Sequence, residues 1–173
     1  MNKMLAENKV LLVFPGLGKT YAAGQTDRVL EIQLSQFKNV NLKKFCDHFP
    51  EHLKGNFEVP FELDPDFPHN VLSVINQGFK DGRIPVMALK TSNIEFVLEN
   101  GLDFDFVMPA KDKYDELQGQ YEKRGNTKEY INRNMGMLER VENDIRKYQK
   151  NIYYIKKGGH LLDLINKISI NQS

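Results

Sequence analysis

Only one cysteine, Cys46, stands in a chain of 173 residues. No intramolecular disulfide can form, and a reducing compartment is the expected setting. A lone thiol of this kind reads first as a packing residue and only then as a nucleophile. A charge excess is missing too. The formal net charge is +1, from 24 Lys and Arg against 23 Asp and Glu. Composition therefore argues against binding to duplex nucleic acid or to an anionic membrane, while leaving room for a local basic pocket. No apolar run approaches the length that crosses a bilayer. The opening "MNKMLAENKV" has no long apolar segment ahead of a small-residue cleavage site, so a cytoplasmic protein is expected. No His/Cys/Glu grouping has zinc-ligand spacing, no Ser–His–Asp arrangement can be argued, and no internal repeat stands out.

What is present suits one globular domain over residues 1–173, with 40% hydrophobic and 27% charged residues. Short apolar runs alternate with helical spacing. Strands are expected over residues 9–14, 28–34, 83–89, 104–109 and 152–155. Between them the spacing predicts a short helix after Gly18-Lys19-Thr20 and a helix bearing Val71, Leu72, Ile75 and Phe79. A helix with a Ser92/Glu95 capping box and a Gly101 stop follows, then one bearing Tyr114, Leu117 and Tyr121. Asn126 with Glu129 is expected to cap a longer helix carrying Ile131, Met135, Leu138, Val141 and Ile145. A last helix turns Leu161, Leu162 and Ile165 inward. Residues 41–68, with Pro50, Pro60, Pro65 and Pro68, read as an irregular insertion, "NLKKFCDHF" being its one candidate helix. The alternation predicts an α/β fold with a mainly parallel sheet of five strands and helices on both faces. In such sheets, ligands bind beyond the carboxyl ends of the strands.

The stretch "VFPGLGKTY" (residues 13–21) lies at one of those ends. A buried strand delivers the chain to a tight turn, and a helix starts at the lysine. Glycine lets backbone N–H groups point at phosphate oxygens without a side chain between. Pro15, Gly16 and Gly18 supply the turn, and the backbone of Leu17, Gly18, Lys19 and Thr20 supplies the donors. In that reading Lys19 bridges the terminal phosphates of a nucleoside triphosphate and the Thr20 hydroxyl holds Mg2+. The usual phosphate-loop pattern begins with glycine where Val13 stands. A β-branched residue disfavours positive φ, so a slightly reshaped loop is expected there.

The stretches "FPGLGKTYAA", "TSNIEFVLENGLDFDFVMP" and "FDFVMPAKDKYDELQGQYEKRGNTKEYI" together resemble small P-loop nucleotide kinases of phages and some bacteria. These are relatives of the adenylate and thymidylate kinases. The likeness covers most of the chain outside residues 41–68. It implies a three-layer P-loop NTPase-like fold and transfer of the ATP γ-phosphoryl group, with Mg2+, to a nucleotide or nucleoside acceptor. It further implies a lid-like helical segment over residues 111–134, an acceptor side in residues 41–68, and contact of the Gly158–Gly159 backbone with the purine. Two departures stand out: Val13, and "LEIQLSQF", where the group carries Asp and Ser and this chain offers Glu31 and Ser35.

Several roles stay open between alternatives. Arg124 either grips the transferring phosphate, with Gly125 as a hinge, or ends a helix that Gly125 caps. Glu31 either holds a Mg2+-bound water, or acts as base toward a hydroxyl acceptor, or is a rim carboxylate. Lys111, Lys113 and Arg133 are within conceivable reach of the site, with solvated surface charge the simpler reading. Arg28 reads as a surface residue, and His160 reads as a packed or exposed histidine before a catalytic one. A nucleotide kinase is the leading expectation. A nucleotide-binding regulatory or phage accessory protein without transfer is the second, and a slow NTPase the third, since Lys90 follows "IPVMAL" where many ATPases place a metal-holding Asp.

Overall fold

The computed structural model describes residues 8–41 and 61–170. Cys46, Pro50, Pro60 and most of the helix expected in "NLKKFCDHF" lie outside them.

Five strands form the sheet: β1 (Val10–Val13), β2 (Val29–Glu31), β3 (Ile84–Ala88), β4 (Phe104–Pro109) and β5 (Ile152–Ile155). Their order is β2-β3-β1-β4-β5 and every pairing is parallel. β1 and β4 are buried along their whole length, as continuous apolar runs in a covered parallel sheet should be. The exception in sequence is Asp105, which has no exposed surface. Its carboxylate accepts from Lys9 Nζ at 3.2 and 3.3 Å and from Asn151 N at 3.2 Å. Without such partners a buried carboxylate would cost several kcal/mol, on the order given for buried ions.

The helices are α1 (Lys19–Gln25), α2 (Leu34–Lys38), α3 (His69–Lys80), α4 (Thr91–Glu99), α5 (Tyr114–Lys123), α6 (Lys128–Arg146) and α7 (Leu161–Ile170). A single 3-10 turn at Lys111–Lys113 leads into α5. α1 packs on α7, α3 on β3 and α4 on β1. Right-handed crossovers send α1, which leads outward to β2, to one face of the sheet. They send α3, α4 and the α5–α6 pair, which lead in the other direction, to the opposite face. The result is an α/β arrangement with the sheet as its middle layer.

Several local expectations shift by a residue or more. The second strand ends at Glu31, and Leu34 already belongs to α2. The Ser92/Glu95 box does not form: α4 begins at Thr91 after Lys90 and has no side-chain cap, while Asn93 Nδ2 reaches back to Ala88 O at 2.7 Å. The longer helix is capped by Thr127, whose hydroxyl accepts from Tyr130 N at 3.2 Å. Asn126 instead donates through Nδ2 to Tyr121 O. The reason is that Asn126 is already the last residue of the preceding helix stop. In α7, Leu161, Ile165 and Ile168 face the core and Leu162 is only half-buried.

The ends of the expected insertion are pinned together. Asn39 forms an antiparallel bridge with Leu63, and Val40 N donates to Glu62 O at 3.0 Å. These contacts lie just after α2, near the carboxyl end of β2.

Candidate functional site

The chain leaves β1 toward β2 on one side and leaves β4 toward β5 on the other. Neighbouring strands whose chains depart in opposite directions open a crevice beyond their carboxyl ends. The Val13–Tyr21 stretch sits in that crevice.

Val13 itself is an ordinary strand residue. It pairs with Ala88 on one side and Val107 on the other, its carbonyl accepts from Leu89 N at 2.8 Å, and it is fully buried. The ladder continues through this residue. The bend comes later, where Gly16 takes φ 89° and Gly18 takes φ 92°. A Cβ on Gly16 would meet Leu117 Cδ1 at 2.6 Å and Tyr121 Cε1 at 2.9 Å. Glycine is therefore needed there twice over, for its backbone angle and for space. Leu17 anchors the loop: its side chain is fully buried and its carbonyl accepts from Leu161 N, at the start of α7, at 2.9 Å.

α1 then begins at Lys19, and Ala22 N closes the first turn onto Gly18 O. Helix geometry leaves the N–H groups ahead of Ala22 without intrahelical acceptors. The Thr20 hydroxyl donates to Glu31 Oε1 at 3.1 Å. Gln33 Nε2 approaches the same oxygen at 3.5 Å. Burial holds the Lys19 ammonium below the ordinary lysine range, Glu31 draws it back up, and Arg124 pushes it down. Lys19, Thr20, Glu31 and Arg124 thus occupy one electrostatic neighbourhood. Among the described residues, neither Lys19 nor Arg124 is committed to a salt bridge. Two cations held within each other's field repel, and an anion placed between them relieves that repulsion.

Arg124 ends its helix, as the second of its two readings has it. It is the residue that caps α5 at its carboxyl end. Gly125 follows at φ 73° and donates to Glu122 O at 3.0 Å, while Asn126 N donates to Tyr121 O at 3.2 Å. That is a Schellman stop. The stop fixes where the helix ends, and the exposed guanidinium lies close enough to Lys19 to act on it.

Lys113 corrects its expectation. It is neither a surface charge nor a phosphate ligand but is completely buried. Its ammonium donates to Glu116 Oε1 and to Gly159 O, both at 2.7 Å. Glu116 Oε2 in turn accepts from Gly158 N at 2.7 Å. The bond from Lys113 and then that from Gly158 hold the Glu116 carboxyl below its usual range. Leaving the buried Lys113 unpaired would cost about 1–3 kcal/mol, so this pair secures the Gly158–Gly159 turn. Lys111 is exposed and acts on Glu142 of α6, and Arg133 sits over the Tyr130 ring at 5.7 Å.

The turn after β5 lies against the phosphate-loop stretch. A Cβ on Gly18 would come within 3.9 Å of His160 Cβ, and the His160 ring is 6.2 Å from that of Tyr21. His160 N donates to Asp163 Oδ2 at 2.7 Å, a helix-capping bond, and its ring is exposed. A groove of about 460 Å³ opens beside the turn, lined by Tyr154, Lys156, Lys157, Gly159, His160 and Lys167 among others.

Tyr121 is the residue that sequence reasoning left as mere helix face. Its hydroxyl donates to Pro15 O at 2.6 Å, and burial raises its pKa above the usual phenol range. The signal available was its spacing with Leu117, which marks an inward face without saying what that face meets.

For a divalent cation the donor set is hard: the Thr20 hydroxyl beside a carboxylate, both oxygen. Among the described residues there is no group of three or more His, Cys, Asp or Glu side chains arranged for a metal. One hydroxyl, one nearby carboxylate and oxygens from a phosphate ligand is a set that suits Mg2+, which keeps several waters and binds few side chains. No helix among the described residues is long and apolar enough to cross a membrane. No protein-family model matches the chain, and no curated protein matches it in sequence.

Proposed function

We propose that the chain is a P-loop nucleotide kinase, with a P-loop NTPase-like fold, that transfers the γ-phosphoryl group of ATP to a nucleotide or nucleoside acceptor. The observation that carries the reading is the convergence on one loop of Lys19, Arg124 and the Thr20–Glu31 pair. The loop's backbone turns through two left-handed glycines at the carboxyl end of the central strand.

Phosphoryl transfer requires positioning and charge neutralisation more than covalent help. Lys19 neutralises the terminal phosphates. Its lowered proton affinity reflects a partly desolvated ammonium, whose attraction to an anion is stronger than in water. The backbone of Gly16, Leu17 and Gly18 wraps the phosphates, and Thr20 with Glu31 would hold Mg2+, which supplies further neutralisation when bound. Arg124 meets the charge that spreads over the transferring group, a fork of donors suited to phosphate oxygens. Glu31 also accepts a proton if the acceptor is a hydroxyl; a phosphate acceptor needs no such base. The Gly158–Gly159 turn and its groove offer room for the base. Residues 41–68 are the candidate acceptor side, and the contacts of Asn39 with Leu63 and of Val40 with Glu62 hold that part of the chain next to α2.

Binding without transfer and slow hydrolysis are the rival readings. The first draws on Val13 and on "LEIQLSQF"; Val13 continues the strand ladder, and the bend falls to Gly16 and Gly18. Incubation with ATP, Mg2+ and a panel of nucleoside monophosphates and nucleosides separates all three. ADP that appears only with one acceptor supports the kinase. ADP without any acceptor supports an NTPase, and ATP-dependent stabilisation with no ADP supports a binder.

A further inference from the structure

We propose that Tyr121 is a positioning residue that fixes the shape of the phosphate loop and couples it to Arg124, so that α5 acts as a fixed brace and not as a lid swinging on Gly125. The proposal rests on the phosphate-loop reading above and deepens it.

Pro15 is the first residue of the bend to meet α5. Its carbonyl lies at the entry to the bend and accepts the Tyr121 hydroxyl at 2.6 Å. The Tyr121 side chain is 1% exposed, and Leu117, one turn earlier, is fully buried. Together they fill the space that a Cβ on Gly16 would need. The loop's left-handed bend is thus shaped on one side by its own backbone and on the other by α5.

The same helix is fastened along its length. At its start, Lys113 and Glu116 grip the Gly158–Gly159 turn from both its carbonyl and its N–H side. In its last turn, the Tyr121 ring meets Tyr130 of α6 edge-on at 5.6 Å. Arg124 follows Tyr121 by three residues, just under one helical turn, so the placement of its backbone is set by the same contacts. Swinging α5 away would break the bonds that Lys113 and Glu116 make to the Gly158–Gly159 turn and expose Leu117 and Tyr121. A hinge at Gly125 cannot open the site unless those contacts break first. Arg124 and the loop are therefore held in mutual register before any ligand arrives.

The test uses the full chain. Y121F keeps the ring and removes only the hydroxyl, so its fold should survive. Amide hydrogen exchange of the ligand-free protein is compared between wild type and Y121F, and ATP with Mg2+ is titrated by calorimetry into wild type, Y121F, R124Q and the double variant. The expected results are faster exchange confined to residues 16–20 in Y121F and ATP affinity weaker by about two- to tenfold. The melting temperature should fall by only a few degrees, the effect of one lost buried bond, and R124Q should cost less in the Y121F background than alone. A merely structural tyrosine would lower the melting temperature and leave affinity and the Arg124 coupling unchanged. Unaltered exchange at residues 16–20 overturns the proposal. So does cooperative fast exchange of residues 114–123 that ATP suppresses, which is the behaviour of a lid. If wild type binds no ATP, the kinase reading fails, and the exchange comparison still decides whether Tyr121 shapes the loop.

Discussion

The hydroxyl of Thr20, in the first turn of α1, donates to the carboxylate of Glu31, the last residue of β2, at 3.1 Å. A hydroxyl that follows the loop lysine is thereby oriented by a residue eleven positions on, across a strand boundary. Replacing Thr20 with Val should leave stability within about 1 kcal/mol, because the pair is exposed. It should abolish the Mg2+ dependence of ATP binding. Glu31→Gln should keep the hydrogen bond but raise the Mg2+ concentration needed by about tenfold or more, as loss of a supporting carboxylate does. Titrating Mg2+ at fixed ATP reads both effects.

Gly16 and Gly125 share a left-handed backbone but not a neighbourhood. A Cβ at Gly125 meets nothing within 4 Å, whereas one at Gly16 collides with Leu117 and Tyr121. Gly125→Ala should therefore cost about 1 kcal/mol of stability, the price of the backbone angle alone. Gly16→Ala should cost about 2–4 kcal/mol, since strain and overpacking add. Urea unfolding of the two variants gives the comparison, and equal costs would mean that α5 does not press on the loop.

Lys113 and Glu116 predict a pH dependence. The folded state holds the Glu116 carboxyl below its usual range, chiefly through the Lys113 bond. The sign follows from linkage: the stabilisation is present above the unfolded value of about 4.3 and is lost as pH falls through the lower folded value. Lys113→Met removes the principal cause, so stability at neutral pH should drop by about 1–3 kcal/mol and the decline below pH about 4 should become shallower. Thermal melts from pH 7 to pH 3 measure this directly.

Asp105 lies toward the amino ends of the sheet, away from the loop, and its carboxylate is held by Lys9 and Asn151. Asp105→Ala should cost about 3 kcal/mol of stability, as breaking a buried ion pair does. ATP affinity of the folded fraction should not change. Equal loss of affinity and stability would place Asp105 in the site's machinery after all.

Much of this architecture could be read from the chain itself, because its strands are continuous apolar runs that no other element would bury. The parallel sheet, its five strands and the position of Gly16–Thr20 at a strand's carboxyl end follow from that pattern. Caps were harder: the difference between Asn126 and Thr127 depends on where one helix stop finishes, which is decided by Gly125 and not by the capping residue. Lys113 was illegible for another reason. Composition makes an isolated lysine a surface charge, and only the arrival of the Gly159 carbonyl from 46 residues away turns it inward. Tyr121 is similar, since its partner, Pro15 O, is a backbone atom 106 residues off that no side-chain pattern announces.

The central claim is that the Gly16–Thr20 turn binds a triphosphate through Lys19. Isothermal calorimetry of ATP with Mg2+ against wild type and Lys19→Ala tests it most directly. The account predicts saturable binding to wild type and a loss of about thirtyfold or more in Lys19→Ala, the scale of removing one partner from a desolvated charge pair. A wild type that takes up no ATP, or a Lys19→Ala variant that binds it equally well, would contradict it.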